Sequence, residues 1–142
     1  MTRPRAVVVD TNVLVAGLLT SDSASLTAVV LDVMLAAELV YLLSEELLAE
    51  HRSVLLRPAI AARHGLSEGE VDQVLAQIIQ NGIVREPSPS AESPPDRNDQ
   101  HLWDLAGSEG GVWVVTGDRL LREGRPVGLV VVSARELVAA LG

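Results

Sequence analysis

The chain contains no cysteine, no lysine and no phenylalanine, and each absence excludes something. Without Cys there are no disulfides, no thiolate zinc sites and no cysteine nucleophile, which fits a reducing cytoplasm. All eleven basic residues are Arg. This removes P-loop phosphate binding, Schiff-base chemistry and the lysine that phospho-receiver domains need beside their acidic pockets. With one Tyr and two Trp, a chain that is 48% hydrophobic must build its core from Leu, Val, Ile and Ala. The segment Met1-Thr2-Arg3-Pro4-Arg5 leads into a strand carrying an Asp, not into the apolar core of a signal peptide. The longest apolar region, Leu26 to Leu43, is broken by Asp32 and Glu38, so no membrane span is expected.

Positive charge is also scarce. The net charge of −8 is an unusual sign for a nucleic-acid binder, because phosphate contacts drive that binding. Divalent cations reverse the local sign wherever acids cluster. The length of 142 residues fits one domain spanning 1–142.

What is present begins with a strand. Ala6-Val7-Val8-Val9 is a short run rich in β-branched residues, as expected of a strand buried on both faces of a parallel sheet. It ends in Asp10, followed by Thr11-Asn12. A second run, Val112-Trp113-Val114-Val115-Thr116, ends in Gly117-Asp118. Open α/β sheets place their ligand crevice at the carboxyl ends of such strands. Two strands delivering an Asp to one edge point to a metal site. The alternative is that each Asp caps the helix that follows.

Between these runs, helices are expected over Val13 to Leu19, Ala24 to Ala37, and from a Ser44 cap to about Leu56, stopping near Pro58. Leu39 to Leu43 is a second strand. A basic connecting segment with Arg57, Arg63 and His64 follows. Ser67 and Glu70 form a capping box for a helix to Asn81, closed by Gly82. Glu86 to Pro95, rich in Pro and Ser, reads as a surface loop. A helix over Asn98 to Ser108, a helical turn over Arg119 to Glu123, a strand over Val127 to Val132 and a Ser133-capped helix to Leu141 complete the chain. Alternating strands and helices predict a parallel sheet covered on both faces.

Two more acids stand out by their spacing. Glu50 shares a helix face with Leu47 and Val54, and a carboxylate inside an apolar stripe is costly unless paired or metal-bound. Otherwise it lies at the stripe edge, facing solvent. Asp99 is in line with Leu102, Trp103 and Ala106, whereas His101 and Asp104 lie off that line. The alternative for Asp99 is the N3 acid of a box capped by Asp96. Asp10, Glu50, Asp99 and Asp118 together make an all-oxygen set suited to Mg²⁺ or Mn²⁺. Two such ions roughly 3.5–4 Å apart could activate water and stabilise the leaving oxygen of a phosphodiester. Thr11, Asn12, Asp96, Asn98 and Thr116 are placed to support these ligands. Arg119, Arg122 and Arg125 are candidates for steering a phosphate backbone, or simply face solvent. A haloacid-dehalogenase-type phosphatase needs a second Asp two residues after the first, and position 12 is Asn.

Asp10-Thr11-Asn12-Val13, the Ser44…Glu50…Leu56-Arg57-Pro58 segment, Asp96-x-Asn98-Asp99 and Thr116-Gly117-Asp118 resemble, in order and spacing, the PIN domain. They look most like its bacterial toxin branch, related to the VapC toxins, and the resemblance covers nearly the whole chain. It implies a three-layer α/β/α sandwich with a central, mostly parallel sheet. It also implies a Mg²⁺- or Mn²⁺-dependent cytoplasmic endoribonuclease, a cognate antitoxin that masks the acidic groove, and a homodimer. Asp10, Glu50, Asp99 and Asp118 fall at the family's four acid positions. The family often has Asp-Pro-Asp-Asp where this chain has Asp96-Arg97-Asn98-Asp99, which leaves open whether one or two ions bind. A housekeeping RNA-processing nuclease of the same fold and a non-catalytic PIN-like protein-binding module are the other functions compatible with the resemblance.

Overall fold

The computed structural model describes residues 3–87, 99–123 and 129–142. In chain order its elements are β1 (Ala6–Val9), α1 (Thr11–Leu19), α2 (Leu26–Leu35), β2 (Leu42–Leu43), α3 (Glu45–Leu55), α4 (Pro58–His64), α5 (Glu68–Asn81), β3 (Ile83–Val84), α6 (Gln100–Ala106), β4 (Val112–Val115), α7 (Arg119–Glu123), β5 (Val130–Val132) and α8 (Ala134–Leu141). Among the described residues, no helix is long and apolar enough to cross a membrane.

β1 lies at the centre. It pairs in parallel with β4, from Ala6 opposite Val112 to Val9 opposite Val115, and β4 pairs in parallel with β5. On its other side Val7 bridges Tyr41, its N–H donating to the Val40 carbonyl at 3.0 Å. Parallel pairing of β2 with β3 extends the sheet further. The strands therefore run β3-β2-β1-β4-β5. The chain leaves β1 toward one edge and returns to build the other. The order reverses between β1 and β4, and the carboxyl ends of two strands flanking such a reversal are where open α/β sheets place their ligand crevice.

The hydrophobic runs explain this arrangement. Val7, Val8, Val114 and Val115 are all fully or almost fully buried, as strands covered on both faces must be. The helices pack on the two faces in a three-layer α/β/α architecture, around a core of Leu, Val, Ile and Met with Trp103 and Tyr41 as its largest buried side chains. α1 approaches α2 so closely that a Cβ on Gly17 would lie 2.7 Å from the Thr27 carbonyl oxygen.

The expected caps are present. Ser44 accepts from the Leu47 N–H, and Ser67 with Glu70 forms a reciprocal capping box. Gly82 ends α5, but with φ of −102° its role is not the left-handed turn that favours glycine. A Cβ there would lie 2.6 Å from the Tyr41 ring, so close packing requires the glycine. Three expectations need correction. Pro58 does end α3, but it also opens α4 at its first helical position, where a missing N–H costs nothing, so the basic segment is helical. Ile83–Val84 forms β3, where no strand was expected. Asp99 occupies the N-cap of α6, not the N3 position of a box capped by Asp96, and its side chain makes no capping hydrogen bond. The Pro- and Ser-rich stretch from residue 88 onward, Asp96, Asn98, Arg125 and the expected strand start at Val127 lie outside the described residues.

Candidate functional site

Asp10 continues the β1 ladder, its N–H donating to the Val115 carbonyl at 2.9 Å, and then serves as the N-cap of α1. Its side chain is nearly buried, at 6% exposure. One carboxylate oxygen accepts from the Thr11 N–H at 2.8 Å, and the other accepts from the Thr116 hydroxyl at 2.8 Å. The Thr116 hydroxyl oxygen in turn accepts from the Asp118 N–H at 2.9 Å. Across the same crevice, the Gly117 N–H donates to Asn12 Oδ1 at 3.2 Å. The turn after β1 and the turn after β4 are thus pinned to each other by side chains from both. Asp10 is both a helix cap and a crevice carboxylate, since one oxygen serves each role.

Glu50 arrives from α3. The Thr11 hydroxyl donates to Glu50 Oε2 at 2.7 Å and lies 2.8 Å from His51 Nδ1. His101 of α6 brings Nε2 to 3.6 Å from the same Glu50 oxygen. At that separation the contact is electrostatic and not a hydrogen bond.

Burial pushes the Asp10 carboxyl above its ordinary value of 3.8. The Thr116 hydrogen bond opposes that rise, the Glu50 charge adds to it, the Thr11 N–H opposes it, and the Asp118 charge adds again. Asp10, Glu50 and Asp118 therefore share one electrostatic field at the point where the strand order reverses. Asp99 heads α6, two residues before His101, whose ring faces Glu50. Among the described residues, no three His, Cys, Asp or Glu side chains close tightly enough to form a cage for an ion. The acids are gathered but not clamped. Their donor chemistry fits a hard divalent cation, because every nearby carboxylate raises the cost of ionising Asp10 and a cation would remove that cost.

The other expected residues have defined positions. Asp118 is half-buried, and Arg119, 82% exposed, pairs with Glu123 at 2.8 Å. Arg119 and Arg122 line a shallow cavity of about 370 Å³ with Glu123 and Glu136, beyond the Asp118 turn. A larger groove of about 540 Å³ adjoins the crevice at Asn12 and runs past Val15, Leu19, Val54 and Ile60 to Arg63.

Two residues near the acids were not expected there. His51 is fully buried and His101 is 6% exposed. Among the described residues, His51 Nε2 and His101 Nδ1 are buried without a hydrogen-bond partner. Burial, with His101 nearby, pushes the His51 ring down to about 4, so it is neutral at physiological pH. The spacing Leu47, His51, Leu55 marks His51 as part of an apolar stripe, and this was the signal available in the sequence.

Comparison with curated proteins gives no match. A family model described as "PIN domain" matches residues 6–120, from the first residue of β1 to just beyond Asp118. That span holds the parallel sheet from β1 to β4, the crevice between them and all four expected acids. By this match over most of its length, the chain belongs to the PIN-domain family.

Proposed function

We propose that this chain is an endoribonuclease that hydrolyses RNA phosphodiester bonds with Mg²⁺ or Mn²⁺, and that it acts as the toxin of a toxin–antitoxin pair. PIN domains are generally nucleases that act on RNA or other nucleic acid with divalent metal ions. The observation that supports the reading for this chain is the electrostatic convergence of Asp10, Glu50 and Asp118 at the β1–β4 crevice. The toxin assignment, a cognate antitoxin, a homodimer and a cytoplasmic setting rest on the motif resemblance.

In this reading Asp10, Glu50, Asp99 and Asp118 would hold the ion, which would supply charge neutralisation and lower the pKa of a water. The chain's own residues do the rest. Thr11 and Thr116 fix the Asp10 carboxylate through one hydrogen bond to each oxygen. The Thr11 hydroxyl fixes Glu50. Asn12 holds the Gly117 backbone, and so the turn that presents Asp118. Arg119 and Arg122 lie beyond that turn, where a phosphate backbone would enter, and they supply positive charge to a protein of net charge −8.

The test is cleavage of a fluorescent single-stranded RNA by purified protein in Mn²⁺, Mg²⁺, Ca²⁺ or EDTA. Cleavage is expected with Mn²⁺ and Mg²⁺, to be weak with Ca²⁺, whose longer bonds and higher coordination number suit the site poorly, and to be absent in EDTA. Undiminished cleavage in excess EDTA would contradict the proposal.

A further inference from the structure

The Thr11 hydroxyl has one proton and two close neighbours, Glu50 Oε2 at 2.7 Å and His51 Nδ1 at 2.8 Å. A carboxylate can only accept. The hydroxyl proton therefore belongs to the bond with Glu50. His51 Nδ1 must then carry its own proton and donate to Thr11 Oγ1, since otherwise two lone pairs would face each other at 2.8 Å.

The far side of the ring agrees. A neutral imidazole has a single N–H, so a proton on Nδ1 leaves Nε2 as a bare acceptor. Among the described residues, His51 Nε2 is buried without a partner. A buried N–H in that position would carry the full penalty of an unmade bond.

We infer that Thr11 and His51 form a proton-ordered positioning pair that orients the Glu50 carboxylate, with His51 held as its Nδ1–H tautomer. The role rests on the reading of Glu50 as a ligand of the catalytic ion. Glu50 is 34% exposed and carries a long side chain that, alone, would sample several rotamers. The pair fixes Oε2 from the protein side. Among the described residues, Oε1 accepts no hydrogen bond. The His51 ring is immobile because it is fully buried on α3, between Leu47 and Leu55 on the same face. Thr11 also joins two acids directly, with its N–H on Asp10 and its hydroxyl on Glu50. A shift of α1 against α3 would therefore stretch the Thr11–Glu50 bond and alter the spacing of the two acids.

The experiment has two readouts. The first is the ¹⁵N NMR signature of the histidine rings in EDTA, which reports the tautomer without metal or substrate. The parent protein should show His51 as Nδ1–H. Thr11→Val, nearly isosteric but without the hydroxyl, should remove the acceptor that fixes this form and shift the ring nitrogen signals. The second is Mn²⁺ affinity, followed by RNA cleavage. His51→Leu and Thr11→Val should each weaken Mn²⁺ binding by about 10–100-fold, the usual effect of losing a residue that orients a ligand, while His51→Asn, which keeps a donor near Nδ1, should stay within about threefold. The kcat for RNA should fall with the affinity, and KM should change little. If His51→Leu does not fold, Thr11→Val carries both readouts. An Nε2–H ring in the parent overturns the inference, as does unchanged Mn²⁺ affinity in folded Thr11→Val. A parent that shows the Nδ1–H ring yet neither binds Mn²⁺ nor cleaves RNA overturns the nuclease reading, and with it the positioning role. The tautomer signature separates that failure from the first.

Discussion

Tyr41 and Asp10 are both buried polar residues beside β1, and they are treated in opposite ways. Tyr41, 1% exposed, donates its hydroxyl to the Ile78 carbonyl at 2.7 Å, joining the start of β2 to α5. It gives one donor to one acceptor, and neither partner is charged. Asp10 accepts two hydrogen bonds, which is adequate on its own, but it lies in the field of Glu50 and Asp118. Nearby, two histidine nitrogens have no partner among the described residues. Closed polar contacts of the Tyr41 kind hold a fold together. The crevice instead concentrates like charge, a cost that protonation or a bound cation would relieve.

The largest effect expected from this contrast is on catalysis. Asp118→Asn or Glu50→Gln should lower RNA cleavage by more than the roughly 10–100-fold typical of residues that only orient ligands. Tyr41→Phe should leave the cleavage rate unchanged. Single-turnover cleavage of one RNA by the three variants would check this, and equal losses in all three would erase the distinction.

Stability should show the reverse ordering. Removing the Tyr41 hydroxyl leaves a buried carbonyl short of its donor, so Tyr41→Phe should cost about 1–3 kcal/mol in urea denaturation. The burial of the same phenol sets an alkaline limit. Burial pushes the Tyr41 phenol from 10.0 up to about 12, so the folded chain retains a proton that the unfolded chain releases. The contribution is complete below pH 10 and is lost as pH rises toward 12, amounting to roughly 2–3 kcal/mol. Urea midpoints measured between pH 9 and 12 should fall more steeply for the parent than for Tyr41→Phe.

The smallest effect belongs to a conspicuous surface feature. Arg52 contacts Glu68 at 2.6 Å and Asp72 at 2.9 Å, but all three side chains are well exposed. Arg52→Ala should cost less than about 1 kcal/mol, and that loss should shrink further in high salt.

The sequence revealed most where a local pattern determines structure. The β-branched runs of β1 and β4 and the serine caps of α3, α5 and α8 all carry short-range signals, and each formed as expected. β3 carried none, because it has only two residues, both exposed, and its strand character comes from pairing with β2. Pro58 was legible as a stop but not as a start, since the residues after it have no strong amphipathic pattern. In the crevice, the Asp at each strand end was visible. So was Thr11 as a support for the acids, but the histidines beside Glu50 were not. Thr11 and His51 are 40 positions apart, and their contact depends on α1 packing against α3. His101 looked peripheral to the Asp99 line, yet α6 turns its ring toward Glu50.

The central claim is that the Asp10 cluster is built for a cation and not for the stability of the fold. Thermal melts of the parent and Asp10→Asn, in EDTA and in Mn²⁺, test it most directly. Asn nearly preserves the shape of Asp10 and keeps an acceptor for the Thr11 N–H, while removing one charge from the field shared with Glu50 and Asp118. In EDTA the variant should melt at or above the parent, because repulsion and the burial of a charge are relieved. Added Mn²⁺ should raise its melting temperature less than the parent's, because ligand stabilisation follows affinity for the folded state. A variant that melts well below the parent in EDTA, yet gains as much from Mn²⁺, would show that Asp10 serves the fold alone.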